Sequence, residues 1–211
     1  TGIPLLRLPG DVFFPEDNIY DSSSDTFWLH SHCKPGESKG TLQMLEALFI
    51  LVRRDIDIKM KVHWGGRNMK EHTKRTSELV LGNCVVNKEY VPHWRIGESI
   101  RSCHLGLFLE NRFSIGFHTP GVPYEYWASG RPIVISREIV EKSHIKPYVI
   151  EGSNSFIVES SPIDPDELAE VIIKAMSVVE RGDGFKTDVD ASLMSLGKRH
   201  ELSVFLEKIT S

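Results

Sequence analysis

No stretch of this 211-residue chain comes near the ~18 consecutive apolar residues that cross a bilayer. A membrane-spanning helix is therefore not expected. Cysteine is equally scarce: Cys33, Cys84 and Cys103 are too few and too scattered for a disulfide framework, and a reducing cytoplasm is the expected location. Charge of one sign is missing as well. The 25 Lys and Arg stand against 29 Asp and Glu, a formal net charge of −4, with no long run of either. A nucleic-acid partner is not expected, because such proteins concentrate a basic face. No signal peptide opens the chain, which starts at Thr1 without a methionine, so an N-terminal portion is expected to precede it. There is no paired-cysteine motif, which leaves thiol redox chemistry without a nucleophile. Gly36-Glu37-Ser38-Lys39-Gly40 has the wrong spacing for an ATPase-type phosphate loop.

What the chain does have is alternation. Residues 1–26, rich in Pro, Asp and Ser, read as a linker. From there short apolar runs at 27–33, 58–64, 84–86, 105–109, 133–135 and 156–158 are expected strands. Periodic segments at 41–54, 68–81, 96–102, 122–129, 165–181 and 192–208 are expected helices. In the 165–181 segment Leu168, Val171, Ile172 and Ala175 recur at helical spacing, and Asp164-Pro165 with Asp166 and Glu167 forms its start. Strand-helix alternation of this kind implies an α/β fold, a Rossmann-like doubly wound parallel sheet with helices on both faces. In such sheets ligands bind beyond the carboxyl ends of the strands. The loops at 34–39, 86–92 and 110–119 are therefore expected to converge.

The stretch from Thr119 to Val134 carries the most information. Pro120 and Pro123 fit only if a helix begins beside them, because proline is harmless in a first turn and disruptive later. Gly130 is placed for the left-handed stop, and Pro132 cannot continue a helix. Glu125 then sits about one turn inside a short helix whose free N–H groups open toward a loop. Such a start suits an anion, and a nearby carboxylate suits hydroxyl groups. The pair fits a ligand with a phosphate end and a polyol end, of which a nucleotide sugar is one. A departing diphosphate needs cations, and Lys34 and Lys39, five apart on the first post-strand loop, are the candidates.

The same segment, with its Pro-x-Glu-Tyr-x-Ala-x-Gly-x-Pro-Ile-Val sequence ending at Val134, resembles the donor-binding segment of retaining glycosyltransferases of GT-B architecture. Leu8-Pro9-Gly10-Asp11-Val12-Phe13-Phe14-Pro15, Ser38-Lys39-Gly40, Glu151-Gly152-Ser153-Asn154 and Asp164-Pro165-Asp166-Glu167-Leu168-Ala169 are similar, in order, to further motifs of that group. The resemblance implies a nucleotide-sugar-binding domain over 27–185 and a C-terminal helix at 186–211 packing toward an N-terminal domain that the chain lacks. That domain would supply the acceptor sugar or glycan. It implies metal-independent transfer without a cofactor, Lys34 and Lys39 being the catalytic cations at the diphosphate. Glu125 would hold the ribose, Val91 would meet the base, and Gly116, Phe117, His118, Thr119, Gly121 and Val122 would line the sugar and diphosphate. Two positions depart from the pattern. Lys34 stands where an arginine is usual, which keeps the charge but loses the bidentate fork. Phe117 stands where a second glutamate is usual, and Glu110 is a candidate substitute.

His30 and His32 alternate on an expected strand beside Cys33 and could form a metal pair. With no third ligand at a suitable spacing, they read instead as core or pocket-lining groups. The expected activity is sugar transfer. A sugar-nucleotide epimerase half and a non-catalytic binding or scaffolding domain are the alternatives.

Overall fold

The computed structural model describes residues 26–66, 68–88, 91, 95–112 and 120–180. Six strands form one parallel sheet: β1 (Phe27–Cys33), β2 (Ile58–Trp64), β3 (Val85–Asn87), β4 (Leu105–Phe108), β5 (Ile133–Ser136) and β6 (Ser155–Val158). Their order across the sheet is β3-β2-β1-β4-β5-β6. The chain thus winds outward from β1 to one edge, returns, and winds outward to the other. The expected strands all stand, with ends shifted by a residue or so.

Among the described residues five α-helices connect them, α1 (Thr41–Arg53), α2 (Met69–Glu78), α3 (Ile96–Arg101), α4 (Val122–Ala128) and α5 (Arg137–Val140), and α6 (Pro165–Glu180) follows β6. The expected start of α4 holds. Pro123 occupies its first turn, and Gly130 follows its end at φ 65°, the left-handed position that glycine tolerates. α5 is an addition to the sequence reading. It begins straight from β5 at Ser136, with no turn residue to announce it. The linker expected at 1–26, apart from Thr26, and the helix expected at 192–208 lie outside the described residues.

Each face of the sheet has its own core. On one, Leu45, Leu48 and Leu51 of α1 and Leu168 and Ile172 of α6 close over Leu29, Met60 and Leu107. On the other, Ile100, Tyr126, Trp127 and Ile139 close over Ile133 and Ile135. Alternation along β1 therefore has a consequence. Leu29 points to the first core, while His30 and His32 point to α4. Gly106 of β4 completes the seat of α4, because a Cβ there would stand 2.4 Å from the Tyr126 ring. Only glycine lets that ring come so close to the strand.

Candidate functional site

β1 and β4 are neighbours in the sheet, yet the chain leaves them in opposite directions. A crevice must open where their outgoing loops part. It does, with a volume of about 690 Å³. Its walls are the loop after β1, the end of β4 at Phe108, the approach to α4 at Pro120, Gly121 and Val122, and Asn68 from the loop after β2.

Lys34 and Lys39 both line this crevice. Lys34 is exposed, whereas Lys39 is half-buried, its Nζ 5.0 Å from the centre of the Phe108 ring. The loop between them is fixed from below. Thr41 Oγ1 accepts from the Gly36 amide at 3.0 Å and lies 2.6 Å from His72 Nε2 on α2. Asn68 Nδ2 donates to the Pro35 carbonyl at 2.9 Å. Gly40, at φ 58°, then turns the chain into α1, and a Cβ there would meet Ile163 at 2.9 Å. The backbone that presents Lys39 is therefore held by hydrogen bonds from Thr41 and Asn68.

Lys39 Nζ donates to Glu110 Oε1 at 2.9 Å, and Lys142 Nζ stands 3.2 Å from the other carboxylate oxygen. The Glu110 amide in turn donates to Ser136 Oγ. Glu110 is thus buried among lysines, and the candidate substitute for the glutamate absent at Phe117 has its carboxylate engaged behind the crevice wall.

Glu125 lies in the first turn of α4 and meets the crevice through His32, whose Nε2 is 2.5 Å from its Oε2. The Tyr126 hydroxyl donates to the His30 carbonyl at 3.0 Å and lies 2.6 Å from His30 Nδ1. Burial, and then the neighbouring His32, His63 and Lys61, push the pKa of His30 well below its ordinary value and keep it neutral. Among the described residues, no three His, Cys, Asp or Glu stand together in a way that could hold a metal. Cys33 also lines the crevice, but desolvation raises its thiol to about 12, which leaves it without thiolate character.

The structure gathers Lys34, Lys39, Gly121 and Val122 at the crevice, with Glu125 one residue behind it. Val91 is half-buried and packs against the second core, and among the described residues the crevice is lined by Asn68, from the loop after β2, and not by Val91. The sequence reading missed that loop because residues 65–68 carry no motif. Gly116, Phe117, His118 and Thr119 lie outside the described residues.

No family model matches the chain, and no curated protein matches it in sequence. Solved structures do match its fold. The C-terminal domain of a glycosyl transferase group 1 family protein (LpcC) from Francisella tularensis is 13% identical, with a TM-score of 0.57 over 72% of this chain and 75% of that one. A glycosyltransferase from Rickettsia africae is 15% identical, with a TM-score of 0.67 over 87% of this chain and 48% of that one. HepE of Anabaena, solved with UDP and glucose, is 15% identical, with a TM-score of 0.64 over 87% of this chain and 49% of that one. The chain spans about half the length of the latter two. Its fold is that of the C-terminal domain of GT-B glycosyltransferases. Fold alone does not assign a reaction.

Proposed function

We propose that this chain is the donor-binding part of a glycosyltransferase, holding a nucleotide-diphosphate sugar in the crevice between β1 and β4. One observation carries the reading: Lys34, Lys39 and the approach to α4 come from segments far apart in sequence and share that single crevice. Cations and backbone N–H groups arranged before the ligand arrives stabilise the charge that grows on a departing diphosphate. Lys39 is the better fixed of the two lysines and takes the diphosphate. Lys34, exposed at the rim, approaches it as a point charge.

In this account Glu125 exchanges its contact with His32 for the ribose hydroxyls. Val91 is not assigned to the base, because it packs on the second core, and the segment containing Gly116, Phe117, His118 and Thr119 is assigned to the sugar. Transfer proceeds without a metal, since the lysines carry the counter-charge, and with retention of the anomeric configuration. The acceptor, a sugar or glycan, is held by a further domain, and the protein works in the cytoplasm. HepE was solved with UDP and glucose, and the shared fold supports a nucleotide sugar here.

The test is a thermal-shift screen of UDP, GDP, ADP and their sugars, because a ligand that binds only the folded chain must stabilise it. Stabilisation by one diphosphate and its sugar supports the reading. Transfer assays on a chain that includes an acceptor domain then separate an enzyme from a binding domain. If none of the nucleotides stabilises the chain, the reading is wrong.

A further inference from the structure

Lys39 does not meet the crevice as an isolated charge. Its Nζ is 2.9 Å from one oxygen of Glu110, and Lys142 Nζ is 3.2 Å from the other. The Glu110 side chain has 0% of its surface exposed, Lys39 15% and Lys142 8%. Charges held so far from water are weakly screened and act on one another over several ångströms. Of the three, only Lys39 lines the crevice. A lysine paired one-to-one with a buried carboxylate offers an incoming anion little, because the carboxylate repels what the lysine attracts. Lys142 alters that balance. Its ammonium offsets part of the Glu110 charge, which weakens that repulsion where Lys39 lines the crevice.

We propose that Lys142, which follows α5 and never reaches the crevice, is a positioning residue for phosphate binding. It engages Glu110 on the oxygen away from Lys39, so that the carboxylate repels a ligand anion at Lys39 less. Glu110 acts in the opposite sense: it fixes the place of the Lys39 head and lowers its pull on anions. This inference rests on the reading of the crevice as a diphosphate site.

The two roles predict changes of opposite sign, which loss of folding cannot imitate. Both Lys142→Met and Glu110→Gln break a buried ion pair and lower stability. Their effects on anion affinity diverge. The experiment is calorimetric titration of UDP, GDP and ADP into the wild-type chain, Lys142→Met, Lys142→Arg and Glu110→Gln, each at low and high salt. For the best-bound diphosphate, Lys142→Met weakens binding about tenfold and flattens its salt dependence. Lys142→Arg restores both, and Glu110→Gln tightens binding despite a lower Tm. Unchanged affinity and salt slope in Lys142→Met overturn the proposal, as does weaker binding in Glu110→Gln. If Lys142→Met does not fold, Glu110→Gln decides alone: tighter binding supports the proposal, and equal or weaker binding overturns it. A wild-type chain that binds none of the three diphosphates removes the diphosphate reading, and this inference with it. Wild-type binding with an indifferent Lys142→Met removes only this inference.

Discussion

His32 and Glu125 are 93 positions apart in sequence, yet Nε2 of one stands 2.5 Å from Oε2 of the other. The contact ties the carboxyl end of β1 to the first turn of α4, the two elements between which the crevice opens. It also holds the Glu125 carboxylate behind His32, which itself lines the crevice. Replacing Glu125 with alanine is therefore expected to weaken nucleoside-diphosphate binding by about 1–3 kcal/mol, the usual range for a lost hydrogen bond to a charged group. Calorimetry on the Glu125→Ala chain checks this, and an unchanged Kd takes Glu125 out of the site.

Gly121 offers a way to separate ligand contact from fold maintenance. It lines the crevice, and a Cβ added there would meet no protein atom within 4 Å. Gly121→Ala is expected to change stability by less than about 1 kcal/mol. If the donor approaches the backbone closely at this point, the same variant binds diphosphate several-fold more weakly. A variant that is stable and binds as well as the wild type places the ligand elsewhere in the crevice.

Gly106 behaves in the opposite way. A Cβ there would stand 2.4 Å from Cε1 of Tyr126, a fully buried ring that cannot swing aside cheaply. Gly106→Ala is expected to cost about 1–3 kcal/mol, the range for overpacking a closed core. Urea unfolding measures the loss, and it should be accompanied by weaker nucleotide binding, because α4 carries both Tyr126 and Glu125. An unmoved urea midpoint contradicts the close packing of α4 on β4.

Stability should also fall in mild acid. His104 is buried, and its Nδ1 accepts a hydrogen bond from the Trp28 amide at 2.8 Å. Desolvation first, and Arg131 second, lower its pKa from 6.5 to about 4. His30 is shifted in the same direction by burial. A histidine whose folded-state pKa is depressed binds fewer protons folded than unfolded. Its contribution is thus fully present above pH 6.5 and is lost as the pH falls toward 4. For His104 alone the change over that window is roughly 3 kcal/mol. Urea midpoints measured between neutral pH and about pH 4.5 test this. His104→Asn, which keeps an acceptor that does not titrate, should flatten the slope, and an equally steep slope in that variant contradicts the assignment.

The elements were readable because each is announced locally. Period-two and period-3.6 apolar patterns gave the strands and helices, and Pro123 and Gly130 bracketed α4 within a residue. α5 escaped because four helical residues directly after Ser136 make too short a pattern. The candidate site was legible only where one segment carries it, as at Lys34, Lys39 and Gly121. Partnerships across the sheet were not. Nothing near Glu125 points to His32, and nothing near Lys39 points to Glu110 and Lys142, because those contacts depend on β1, β4 and β5 being neighbours. Asn68 entered the crevice for the same reason, from a loop whose sequence is silent.

The most direct test of the central claim is location. Backbone amide chemical shifts, followed while the diphosphate selected by the thermal screen is titrated into the wild-type chain, map the ligand onto the fold. The account predicts that the largest changes fall on residues 32–40 and 120–125, and that Lys39→Met abolishes them at the same ligand concentration. Changes centred on another face of the sheet, or undiminished in Lys39→Met, contradict it.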